Sequence, residues 1–277
     1  MREIKQIVEG LKSSDGDGVQ LTRVIGSSSL NMLDPFLLFD AFGSDKPQDY
    51  IGGFPSHPHR GFETVTYMLT GKMLHQDSAG NAGVIESGGV QWMTAGRGII
   101  HSEMPQQKQG MLAGFQLWVN LPAAHKMTMP KYQERSEAQI PEDVRVDGSS
   151  IKVIAGETSA GIRGVIENTF IDPVYWDVHL AAGGELQEAL PLGHNGFIYL
   201  IEGNVSIGNS RSQLNKGQLG VLTDGEKILI NSTDKSRFLV VAGKPLNEPV
   251  ERAGPFVMNT RKEIEQAFAD YRAGRLA

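Results

Sequence analysis

There is no cysteine anywhere in the 277 residues. Disulfides, thiolate metal sites and cysteine nucleophiles are therefore excluded, and any metal must be held by nitrogen and oxygen. Long apolar runs are missing too. The longest, such as residues 36–39 and 238–242, fall far short of a bilayer span. The opening stretch MREIKQIVEGLKSSDGDG has no continuous apolar core of the kind a secretory leader carries. Nor is there an excess of positive charge, since the formal net charge is −6. That argues against a nucleic-acid backbone as main partner, because such binding runs on a basic surface. These absences point to a cytoplasmic protein with no direct nucleic-acid or membrane role. Nothing in them demands more than a monomer.

Apolar residues make up 40% of the chain, enough for a packed core, and the length suits two domains. Glycine punctuates short stretches rich in Val, Ile, Tyr and Thr, among them VTYMLTG, VQWMTAG, FIYLIEG and KILIN. Such runs read as strands, and their regular spacing predicts an all-β fold of sandwiches or barrels. Between residues 121 and 148 the composition turns polar, with Pro122, Pro130 and Pro141 beside a charged run. This predicts a first domain over 1–128, a connection over 129–148 and a second domain over 149–277. One helix is expected, over 261–273. Thr260 and Glu263 fit a capping box, Ile264, Ala267, Phe268 and Tyr271 recur at helical spacing, and Gly274 is a stop.

The two halves repeat each other. VTYMLTG (65–71) matches FIYLIEG (197–203), with tyrosine and final glycine in register. IESGGVQWMTAGRGII (85–100) matches LNKGQLGVLTDGEKIL (214–229), so that Gly88 meets Gly217, Thr94 meets Thr223 and Gly96 meets Gly225. The offsets are 132 and 129 residues, leaving a three-residue gap between the blocks. Two copies of one β-barrel domain account for this.

Against seven histidines in all, three fall into two tight pairs. SHPHRGFE supplies His57 and His59, and IHSEM supplies His101 and Glu103. Side chains two apart on a strand share a face. If the two strands face one another, three imidazoles and a carboxylate converge, a donor set suited to a first-row divalent ion with room for water. Pro58 cannot donate to a ladder, so its segment is expected to be a strand entry or a bulge. Carrying the repeat offsets across puts Ala189 and Pro191 opposite the first pair and Ile230 and Ser232 opposite the second. The second copy then has no ligands, and one site is expected, in the first domain. His75, His125, His179 and His194 are read as structural or solvated. Glu63 is either a further ligand or a hydrogen-bond partner to a histidine or arginine. Trp92, Phe62, Phe115 and Trp118 are read as core, one or two of them free to wall a pocket.

PSHPHRGFETVTYMLTG followed by HQDSAGNAGVIESGGVQWMTAGRGIIHSEMP closely resembles the pirin family of the cupin superfamily. The resemblance extends to LDPFLLFDAFG near the start and GKPLNEPVERAGPFVMNTRKEI near the end. It implies two cupin-type jelly-roll barrels, with metal in the first one alone. It implies His57, His59, His101 and Glu103 as the ligands and Fe(II) as the ion, while the donor set itself also admits manganese, nickel or zinc. Glu63 stands where other cupins carry a ligating glutamate, but the closer family places the carboxylate at Glu103. The resemblance further implies a dioxygenase that cleaves a flavonol such as quercetin with O2 and releases carbon monoxide. Glu103 would then accept the substrate proton. The competing reading, implied by the same family, is a metal-dependent, redox-sensing regulator that acts by binding a partner protein. Fold alone does not decide between them.

Overall fold

A computed structural model describes residues 1–168 and 170–277. Its regular structure is mainly antiparallel strand, and it divides into two compact units. Each unit holds one seven-stranded and one four-stranded sheet. In the first unit the long sheet runs Lys131–Arg135, Val90–Thr94, Phe62–Thr70, Leu112–Asn120, Phe36–Ser44, Val19–Ile25 and Leu11–Asp15. Its short sheet runs Phe54–His59, Ile99–Pro105, Met73–Asp77 and Ala82–Ile85. The second unit repeats the order, with Asn195–Glu202 between Gln218–Leu222 and Ser236–Gly243 as the counterpart of Phe62–Thr70.

The matched glycines occupy matched backbone. Gly71 and Gly203 turn at φ of 93° and 83°, and Gly88 and Gly217 at 76° and 82°, a region open to glycine and costly for other residues. Inward side chains alternate along the strands. Ile99, His101 and Glu103 are buried while Ile100, Ser102 and Met104 are partly exposed, the period-two pattern of a half-buried strand.

The ends of the chain depart from the expected contiguous division at 128 and 149. Unit one comprises residues 11–26, 36–137 and 246–277, and unit two comprises 1–10, 27–35 and 138–245. Ile4–Glu9 pairs with Gln218–Leu222 and so closes an edge of the second unit's long sheet. Lys131–Arg135, inside the expected connection, is the edge strand of the first unit's long sheet. Its charged composition, which reads as linker, is what an exposed edge strand uses to discourage further pairing.

The closing helix, Arg261–Arg272, also belongs to the first unit rather than the second. Its capping box is formed as expected: Thr260 Oγ1 accepts from the Glu263 amide, and Glu263 Oε2 accepts from the Thr260 amide at 2.8 Å. Ile264 and Ala267 bury against Phe256, Met258 and Leu276.

A candidate metal centre

Pairing between Phe54–His59 and Ile99–Pro105 places His57 directly opposite His101 and His59 opposite Ile99. The register then slips before Glu103 meets Phe54, with one extra residue on the Phe54–His59 side. The slip lies at Pro55 and Ser56; Pro58, where a strand entry or a bulge is expected, pairs in register with Ile100, which its strand tolerates because it has a neighbour on one side only. The result gathers three imidazoles. One ligand atom from each of His57, His59 and His101 lies within 4.8 Å of the others, the only such group among the described residues.

Hydrogen bonds fix which nitrogens face inward. His57 Nδ1 lies 2.8 Å from the Pro55 carbonyl and His59 Nδ1 lies 3.3 Å from the Pro255 carbonyl. A carbonyl only accepts, so each Nδ1 carries the proton and each Nε2 presents a lone pair. Those two Nε2 atoms stand 3.0 Å apart. His101 Nε2 is buried and has no hydrogen-bond partner among the described residues. Lone pairs turned on one another, beside a third without a partner, suit a shared cation. Burial, with the neighbouring imidazoles second, holds His59 and His101 well below the ordinary histidine range. Both therefore stay neutral, the state that ligates metal.

Glu103 is buried at 3% exposure but stands outside the group of three. Thr66 Oγ1 donates to its Oε1 at 2.7 Å and Gln116 Nε2 to its Oε2 at 2.9 Å. Glu63, on the strand Phe62–Thr70, is also outside the group and accepts from Thr94 Oγ1 at 2.6 Å.

His57, His59 and Glu103 form part of the wall of a pocket of about 510 Å³, within the range of small-molecule sites. Leu38, Phe42, Phe54 and Trp118 supply much of its apolar lining. Of the four aromatics read as core, Trp92, Phe62 and Phe115 are buried there, and Trp118 walls the pocket. Its ring meets His59 edge-on at 5.1 Å, and the Arg252 guanidinium lies 4.6 Å above its face. Arg23 holds Asp40 through two bonds, at 3.0 and 2.7 Å, and reaches Asp15 at 2.9 Å. Both acids line the pocket, and their charges act on Arg252 as well as on Arg23.

Sequence reasoning missed a third pair. His75 is followed two residues later by Asp77, on a strand whose register sets Asp77 opposite His101. His75 is fully buried, its Nδ1 3.4 Å from His101 Nδ1 and its Nε2 3.3 Å from Asp77 Oδ2. Burial raises the Asp77 carboxyl, but bonds from Asn81 and His75 outweigh it and hold the group below its usual value. The signal was the same spacing that marked the other two pairs.

The second unit also corrects the expected counterparts. Its register sets Leu186 opposite Ile230 and Glu188 opposite Ile228, as His57 is opposite His101 and His59 opposite Ile99. The equivalents of His57 and His59 are thus Leu186 and Glu188, not Ala189 and Pro191, because the second copy has three more residues between this strand and its FIYLIEG block than the first has before VTYMLTG. Leu186, Ile230, Val205 and Ile207 pack into that unit's apolar core. Glu188 is bound to Arg145 and to the Ser159 amide.

No helix among the described residues is long and apolar enough to cross a membrane. Two family models match the chain: Pirin, over residues 18–119, and the Pirin C-terminal cupin domain, over residues 175–277. The chain is 47% identical to a pirin-like protein of Caulobacter vibrioides over 275 residues, 99% of each chain. It is 44% identical to pirin of Homo sapiens over 266 residues, covering 94% of this chain and 89% of that one. A crystal structure of quercetin 2,3-dioxygenase from Acinetobacter baumannii superposes with a TM-score of 0.91 at 36% identity, covering 100% and 99% of the two chains.

Proposed function

The chain belongs to the pirin family, and on that premise we propose that it is a metal-dependent dioxygenase that opens a flavonol such as quercetin and releases carbon monoxide. The observation that carries the reading is the gathering of ring nitrogens from three histidines beside a pocket of about 510 Å³ with apolar and polar walls. The name of the Acinetobacter baumannii relative supports the same substrate class. His57, His59 and His101 would hold the ion, with Glu103 as fourth ligand and Fe(II) as its identity. A divalent ion there would supply Lewis acidity toward a substrate oxygen and electron exchange with O2.

The chain's own groups supply the rest. Glu103, held by Thr66 and Gln116, accepts the proton of the flavonol 3-hydroxyl. Fixing both carboxylate oxygens keeps that base in place, so little reorganisation accompanies proton transfer. Trp118, Phe42 and Leu38 take the flat rings and exclude water from the reacting carbon. Arg252, at the rim and over Trp118, favours the anionic form left after proton loss.

The test is direct. Protein loaded in turn with iron, manganese, nickel or zinc is mixed with quercetin in air, and flavonol absorbance and carbon monoxide are followed. Turnover that needs the metal and is lost in His57→Ala supports the reading. Full metal occupancy with quercetin left intact overturns it, and favours a regulator that works by binding a partner protein.

A further inference from the structure

The three histidines are not oriented alike. His57 and His59 are each locked by a backbone carbonyl, which no side-chain substitution removes. His101 is oriented by another imidazole. What that imidazole does depends in turn on a carboxylate.

We infer that His75 and Asp77 are positioning residues that set the tautomer of His101 and thereby make its Nε2 available to metal. The polarity of the chain follows from its outer end. Asp77 Oδ1 accepts from the backbone amides of Ala79 and Asn81, at 2.9 and 3.0 Å. Its Oδ2 faces His75 Nε2 at 3.3 Å, with both side chains fully out of solvent. An ionised carboxylate only accepts, so His75 carries its proton on Nε2. His75 Nδ1 is then the acceptor, and across 3.4 Å it takes the proton of His101 Nδ1. His101 Nε2 is left with a lone pair, and that atom is buried without a partner among the described residues. Three groups thus transmit one choice, and no proton need move for it to be made.

The inference rests on the metal-site reading but not on the dioxygenase reading, because it is tested by binding and spectroscopy without substrate. The informative variant is Asp77→Asn. The Ala79 and Asn81 amides retain the asparagine oxygen at the Oδ1 position, which turns the amide nitrogen toward His75. Asn81, whose amide nitrogen now reaches both oxygens, can rotate to offer its own oxygen instead. His75 Nε2 must then accept, its Nδ1 must donate, and His101 is driven to carry its proton on Nε2. The substitution changes neither size nor shape, yet reverses every hydrogen bond in the chain.

Two measurements test this in the whole protein. In metal-free protein carrying 15N-labelled histidine, long-range proton–nitrogen correlation spectra report which ring nitrogen of His101 is protonated. The expectation is Nδ1–H in the wild type and Nε2–H in Asp77→Asn. Affinity for Zn(II), measured by chelator competition, is expected to fall about 10- to 100-fold in Asp77→Asn, the usual effect of losing an outer partner of a ligating histidine. Asn81→Ala serves as control. It weakens the same turn but leaves Asp77 Oδ2 facing His75, and should keep affinity within about threefold of the wild type. An unchanged His101 tautomer or unchanged Zn(II) affinity in Asp77→Asn would overturn the inference. So would an equal loss in Asn81→Ala, which would assign the effect to the turn.

Discussion

His59 Nδ1 lies 3.3 Å from the carbonyl oxygen of Pro255, a residue 196 positions further along the chain. The His59 nitrogen that faces His57 is therefore aimed by a segment distant in sequence. The same segment follows the strand onward: the Val257 amide donates to the Arg60 carbonyl at 3.0 Å. From the closing helix, Asp270 accepts from Arg60 Nη1 at 2.8 Å.

That last contact gives a pH-dependent prediction. The hydrogen bond from Arg60 holds the Asp270 carboxyl below its usual value. A carboxyl lowered in the folded state adds stability above its unfolded pKa, about 4, and loses it as pH falls through the folded value. Asp270→Asn is therefore expected to lower Tm at neutral pH. The gap to the wild type should close as thermal scans are taken further below about pH 4. A gap that widens in acid would contradict the pairing.

Gly61 follows directly on this segment, with φ of 88°. A Cβ there would sit inside the carbonyl oxygen of Val257. Gly61→Ala thus meets both a backbone penalty and a backbone collision, and should cost more than about 2 kcal/mol in denaturant unfolding. Weakened Zn(II) binding should accompany it, because the displaced segment is the one that aims His59.

Lys126 is buried, and its ammonium donates to Gly61 O at 2.7 Å, Asn120 Oδ1 at 2.6 Å and Val257 O at 3.1 Å. Lys126→Met fills the space of the stem but leaves three acceptors without that donor. A loss of about 2–4 kcal/mol is expected, measured by urea unfolding. Little change would mean that water replaces the ammonium.

Glu103→Gln keeps the shape of the side chain but removes its charge and its basicity. The glutamine oxygen still accepts from Thr66, its amide nitrogen faces Gln116, whose side-chain amide turns over to accept, and Tm should stay within a few degrees of the wild type. Flavonol turnover should fall by about 100-fold or more at equal metal content. Turnover within threefold of the wild type would remove Glu103 from the role of base.

Much of this was readable before any coordinates. Turn glycines such as Gly71 and Gly203, period-two burial and the Thr260–Glu263 cap are local, and local chemistry writes them plainly. His57, His59, His101 and Glu103 stand out through spacing on strands. Membership of the end segments does not, because strand pairing between Ile4–Glu9 and Gln218–Leu222 spans more than two hundred residues and leaves no local mark. The role of Lys131–Arg135 was hidden because an edge strand and a solvated linker favour the same charged residues. His75 was passed over as structural although Asp77 stood at the informative distance. The pair gains its meaning only when register brings it beside His101.

The division of the ends has a consequence for biosynthesis. The sheet that carries the three histidines is translated before the carbonyl that aims His59 and the helix that grips Arg60. A nascent chain presents His59 before the acceptor that orients its ring exists. The orientation of His59 is therefore settled only after residue 255 has been made.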